Sequence, residues 1–217
     1  MNPLGKVNFI IKNNYKDLLN KNIYEPLVCQ IMNESKIVFP DEYKQIIEQS
    51  NGESDFVSNK NEFLDAKILI YNQQAIDMKK NKIDDFLDSI QEEQNQIFDT
   101  IMQQLPNVEQ SKFYIEILHR LEKMKENENL VLFFPFDVTI EFEGSVTSSA
   151  DIFSYIIDII RGKNKKITDE HIIYMIYPNI ENKIVLKKFS NQGDELEFLH
   201  SDLLKNYIEV IGIETQI

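Results

Sequence analysis

The chain has 217 residues, 42% of them hydrophobic and 27% charged, and its 36 acidic against 23 basic side chains leave a formal net charge of −13. This is the composition of one globular domain able to bury a sizeable core. The acidic excess argues against a protein whose whole surface grips nucleic acid, because that affinity comes from Lys and Arg neutralising phosphates. No apolar run reaches the roughly 20 residues of a membrane span. Asn2, Lys6 and Asn8 interrupt the layout of a signal peptide, and the single Cys29 permits no internal disulfide, so a cytoplasmic protein is expected.

In chain order, residues 1–36 are expected to be helical after a short entry, from Tyr15, Leu18 and Leu19 and then Pro26 near a helix start followed by Leu27, Val28, Ile31 and Met32. Pro40 and Asp41 predict a second helix with Tyr43, Ile46 and Ile47 inward and Gly52 as its stop. The stretch from Gly52 to Tyr71 then predicts a hairpin. Ser54 to Ser58 forms a short strand, Asn59-Lys60-Asn61 the turn, and Glu62 to Tyr71 a longer strand. Alternation puts Phe63, Asp65, Lys67 and Leu69 on one face and Leu64, Ala66, Ile68 and Ile70 on the other. A strand apolar on both faces belongs inside a sheet, and a charged pair there is costly unless something binds it.

Gln73 to Lys125 keeps helical spacing through Ile83, Phe86, Leu87, Ile90, Ile97, Ile101 and Leu105. A break at Pro106-Asn107 precedes Phe113, Ile117, Leu118, Leu121 and Met124, which predicts a helical-hairpin insertion over 73–128. Leu130 to Phe134 and Val138 to Phe142 predict strands around Pro135. Ser148 to Asp151 opens an apolar helix through Ile152, Phe153, Ile156, Ile157 and Ile160 that Arg161-Gly162 closes. His171 to Tyr177 is a strand, residues 178–182 a turn, and Lys183 to Phe189 its hairpin mate. The tail predicts a short helix and a last strand over Tyr207 to Ile213. His119, His171 and His200 are scattered without metal-ligand spacing, and the glycines form no phosphate loop.

An acid opening one strand, followed by acid-any-Lys on the next, resembles the PD-(D/E)xK nuclease superfamily, the restriction-endonuclease-like fold. Asp55 would be its first acid, Asp65 its second and Lys67 its lysine; Ser54 stands where the family usually has Pro. The same triplet at Glu34, Glu42, Asp77 and Glu181 lacks the paired strands. The resemblance implies an α/β chain, a mixed sheet flanked by helices with a restriction-endonuclease-like core, in a single domain over 1–217 that carries the insertion. It implies metal-dependent cleavage of DNA or RNA, with Asp55 and Asp65 holding Mg2+ or Mn2+ and Lys67 supporting the attacking water. It also implies a metal-facing Glu on a helix before the first strand, for which Glu48 is the candidate and Glu25 the poorer alternative. Such nucleases commonly serve restriction or antiviral defence.

Arg161, Lys163, Lys165 and Lys166, with Lys183, Lys187 and Lys188, crowd a stretch whose acids are Asp169, Glu170 and Glu181. It is either a solvated loop or the contact for a phosphate backbone. The acidic balance also suggests a partner subunit or a homo-oligomer that supplies basic surface, and no membrane. A non-enzymatic acidic protein that occupies a basic groove, mimicking DNA, is the alternative reading.

Overall fold

The structure, a computed structural model, describes residues 5–11, 15–47, 54–68, 112–135, 139–142, 145–179 and 181–215. Strand β1 (Gly5–Ile11) leads to α1 (Lys21–Glu34), then to β2 (Tyr43–Gln45), β3 (Phe56–Ser58) and β4 (Phe63–Ile68). Helix α2 (Lys112–Leu121) precedes β5 (Glu128–Phe133) and the ribbon β6 (Thr139–Phe142) and β7 (Ser145–Ser148). Helices α3 (Ser149–Lys163) and α4 (Lys165–Glu170) follow. Strands β8 (Ile173–Pro178), β9 (Ile184–Phe189), β10 (Glu195–Leu199) and β11 (Ile208–Thr215) complete the order.

Seven strands form one mixed sheet in the order β10-β9-β8-β5-β4-β3-β2. β4, β5 and β8 are parallel, while both flanks are antiparallel. Alternation along the strands splits the core in two, as period-2 side-chain direction requires. Leu64, Ala66, Val131, Phe133 and Ile176 meet Tyr24, Leu27, Val28 and Ile31 of α1 on one face. Leu130, Leu132, Ile173 and Met175 meet Ile117 and Leu121 of α2 and Phe153, Ile156 and Ile160 of α3 on the other. The result is a mixed α/β chain of helix, sheet and helix layers. Among the described residues no helix is long and apolar enough to cross a membrane.

The expected helix after Pro40 is a correction: Tyr43–Gln45 is a strand, paired Tyr43 with Ser58 and Gln45 with Phe56. Tertiary contacts decide it. The Asn33 side chain on α1 donates to the Tyr43 carbonyl at 2.9 Å and accepts from the Tyr43 N–H at 2.8 Å, supplying the bonds an outer neighbour strand would give. Asn33→Ala leaves both groups of this edge strand without that partner, so a loss of about 1–2 kcal/mol is expected in urea unfolding. An unchanged midpoint would show that water replaces the amide.

β1 and β10 were not expected. The tail forms strand β10, a 3-10 turn at Leu204–Asn206 and then β11, which pairs with β1. α1 begins as N-cap chemistry dictates, the Asn20 side chain accepting from Asn22 N at 3.0 Å. Pro26 falls inside the helix rather than near its start. α3 runs two residues past Arg161. Residues 69–111, most of the expected insertion, lie outside the described residues.

Candidate functional site

The turn between β3 and β4 is closed by Asn61 in the left-handed region at φ 64°, a conformation Asn tolerates better than most residues. β4 is interior, between antiparallel β3 and parallel β5. Its Leu64 and Ala66 are buried toward α1, and Asp65 and Lys67 share the opposite face, as alternation predicts.

Asp55 sits just ahead of β3 with its backbone pinned on both sides, donating to Leu64 O and accepting from Ile46 N, each at 2.9 Å. Its carboxylate is 1% exposed. Oδ2 accepts the Ala66 N–H at 2.7 Å, and Oδ1 lies 2.9 Å from Lys21 Nζ. The same ammonium meets Glu25 Oε1 at 3.0 Å, and Glu25 Oε2 accepts from Gln45 Nε2 at 2.8 Å. Asp65 stands in hydrogen-bond contact with Asp55 and accepts from Lys67 Nζ at 2.7 Å. Thus Asp55, Asp65 and Lys67 converge, and the chain adds Lys21 and Glu25 from the first turns of α1.

The electrostatics separate the two aspartates. Burial pushes the Asp65 carboxyl up, and the neighbouring Asp55 charge helps hold it at about 6 although Lys67 opposes the rise. Burial would also raise Asp55, but the Lys21 ammonium, the Ala66 N–H and the Lys67 charge outweigh it and hold this carboxyl below its ordinary value. Glu25 is raised by burial and by Asp55. Burial would lower Lys21, yet its bonds to Asp55 and Glu25 hold it above the usual lysine range. A buried carboxyl raised to about 6 beside one held below its ordinary value is a perturbed pair of the kind found at functional sites.

Asp65 and Lys67 open onto a pocket of about 360 Å³ whose other wall is the end of α2, with His119, Arg120, Lys123 and Met124, and Glu128 at its base. Three cationic or titratable side chains therefore face the aspartate–lysine pair. Ser54 is buried and donates to Glu128 Oε1 at 2.5 Å, tying the entry of β3 to the start of β5.

The basic stretch at the end of α3 and the start of α4 behaves differently. Arg161 bonds to Asp194 at 3.0 Å, Asp158 at 3.3 Å and the Ser190 carbonyl at 2.8 Å, and lies 5.9 Å from the centre of the Phe189 ring. It fastens α3 to the β9–β10 turn, and β9 is three strands from β4. Lys183, Lys187 and Lys188 each have a carboxylate within 4 Å. Lys163 and Lys165 are exposed, and the Lys166 side chain lies outside the described residues. Glu48 is outside them too.

Glu25 and Lys21 carry a signal that sequence reasoning underweighted. An acid within the buried stripe Tyr24, Leu27, Val28, Ile31, with a lysine four residues before it, is a costly arrangement on an inward helix face. Among the described residues no three Asp, Glu, His or Cys side chains already stand together as a ligand set for a metal ion. Asp55 and Glu25 are instead joined through the Lys21 ammonium. No family model, curated protein or solved structure matches the chain.

Proposed function

We propose that the protein is a metal-dependent nuclease hydrolysing phosphodiester bonds of DNA or RNA, built on a restriction-endonuclease-like core. The observation that carries the reading is the meeting of Asp55, just ahead of β3, with Asp65 and Lys67 of β4, the latter two lining an open pocket. The α1, β2, β3, β4 order followed by parallel β5 supports it further, because with β2 as a strand no insertion separates the three antiparallel strands of the core. The donor set is also suitable, since carboxylate oxygens are the ligands that hard divalent cations prefer.

In this reading Asp55 and Asp65 hold Mg2+ or Mn2+, with Glu25 in the place for which Glu48 was the sequence candidate. The ion, when bound, supplies a more acidic water and neutralises charge on the phosphate. Lys67 keeps its ammonium beside Asp65, where it orients the attacking water and balances developing negative charge. His119, Arg120 and Lys123 offer phosphate oxygens a wall of hydrogen-bond donors. That wall, rather than Arg161 and its neighbours, is the better place for the scissile strand. A defence or restriction role is the setting such nucleases imply.

The test is hydrolysis of labelled single- and double-stranded DNA and RNA with Mg2+ or Mn2+, abolished by EDTA, together with a metal titration followed by thermal unfolding. Excess metal at about a hundred times its Kd should stabilise the fold by about 2.7 kcal/mol. No hydrolysis and no thermal response to either ion would remove the reading. Metal should bind more tightly as pH rises through about 6, since a proton on Asp65 competes with the ion, and the affinity should level off above it. Calorimetry at several pH values checks this.

The net charge of −13 favours one other reading, a non-enzymatic acidic protein seated in a basic groove of a partner. Salt-sensitive capture of a basic protein, with no response to metal, would distinguish it.

A further inference from the structure

We infer that Lys21 is the site's own tethered cation, which occupies the metal-facing oxygen of Asp55 until a divalent ion displaces it. The inference rests on the metal-binding reading above and adds a competitor to it. Asp55 Oδ2 is committed to the Ala66 N–H at 2.7 Å, so a cation held by Asp55 without disturbing the sheet takes Oδ1. Lys21 Nζ is 2.9 Å from that atom and 3.0 Å from the buried Glu25 Oε1.

Both carboxylates are buried, at 1% and 3% exposure, and could not remain charged side by side without a positive partner. The lysine meets that need intramolecularly. An ammonium and a divalent ion cannot share the spot, because two positive charges at contact distance in a partly buried site repel strongly.

The same side chain has a way out. Lys21 is the first residue of α1 and its side chain is 50% exposed, so its four-carbon stem can swing the ammonium into water without disturbing the helix. Glu25 and Asp55, by contrast, are fixed by Gln45 and Ala66. The mobile cation leaves and the rigid anions stay. The protein is thereby stable without metal and sets a threshold of free divalent ion below which its site remains closed by Lys21.

The experiment is titration of Mg2+ and Mn2+ into the full chain and into Lys21→Met, read by calorimetry and by thermal unfolding. Removing the competing charge should tighten metal binding at least about tenfold, while the metal-free variant melts lower than the wild type and recovers more on adding metal. Equal or weaker binding by Lys21→Met overturns the inference and leaves the nuclease reading standing. Absence of binding to either protein sinks both. Should Lys21→Met fail to fold, the wild type alone decides: reductive methylation of Lys21, followed by mass spectrometry, should quicken when metal is present. An unchanged rate rejects displacement.

Discussion

Asp65→Ala is expected to lower metal-dependent hydrolysis by about a thousandfold or more while the protein stays folded, and to melt no lower than the wild type. The two halves have one cause. Asp65 is held near pKa 6 by burial and by Asp55, so in the metal-free fold its charged form is the unfavourable one. The folded state binds more protons than the unfolded chain between the ordinary Asp value and about 6, and stability contributed by this group therefore falls as pH rises across that window. Replacing it removes a strained charge along with the proposed metal ligand. Asp55→Ala should differ, because Asp55 is 1% exposed, accepts the Ala66 N–H and balances Lys21. Its loss should abolish activity and also cost stability, on the order of 2–4 kcal/mol. Measurements of kcat/KM alongside urea midpoints separate the two. Asp65→Ala with full activity would eliminate the proposed chemistry, and Asp65→Ala that unfolds would contradict the electrostatic account.

Glu197→Ala should give the largest loss of stability, about 3 kcal/mol or more, a large fraction of the 5–15 kcal/mol that holds a typical domain together. Glu197 points inward from β10 to the loop after α1. It accepts from the Ser35 hydroxyl at 2.5 Å, from Lys36 N at 2.9 Å, and from Ile37 N and Val38 N at 3.1 Å each. Burial would raise this carboxyl, but the hydroxyl and the three backbone N–H groups prevail and hold it below its ordinary value. The stability it contributes is thus fully present above the ordinary Glu value and is lost as pH falls through the lower folded-state value. Glu197→Gln should lose nearly as much, since an amide nitrogen would confront backbone donors. Urea unfolding of both variants at pH 7 and at lower pH provides the check. A Gln variant as stable as the wild type would show that charge plays no part.

β10 also explains why the sequence concealed part of the fold. Its apolar Leu196 and Phe198 are exposed at 48% and 51%, while Glu197 is buried. Alternation therefore points the wrong way, and only the N–H groups of residues 36–38, about 160 positions earlier, give the reason. β2 was hidden for a similar cause, since its outer hydrogen bonds come from Asn33 and local pattern favoured a helix. β1 and β11 hold each other from opposite ends of the chain.

What the pattern revealed was local. α1, α3, the β3–β4 hairpin and the β8–β9 hairpin each carry their periodicity and turn residues within a short window, and these elements were legible. The pairing of Asp55 with Asp65 and Lys67 followed from that hairpin. Lys21, Glu25 and the His119, Arg120 and Lys123 wall come from helices that tertiary packing brings alongside, a placement no spacing along the chain encodes. At the basic stretch the charge density was visible in the sequence, while the carboxylate partners of Arg161 and Lys188 were not.

The Asn33 carboxamide, finally, decides where the sheet stops. Tyr43 turns its amide and carbonyl away from β3, and those are the positions a strand from another molecule would dock on. Asn33 fills both, with Cys29 adding its thiol at 3.5 Å. The Tyr43 position of this edge is consequently blocked to edge-to-edge pairing, so the acidic chain need not depend on mutual repulsion alone there.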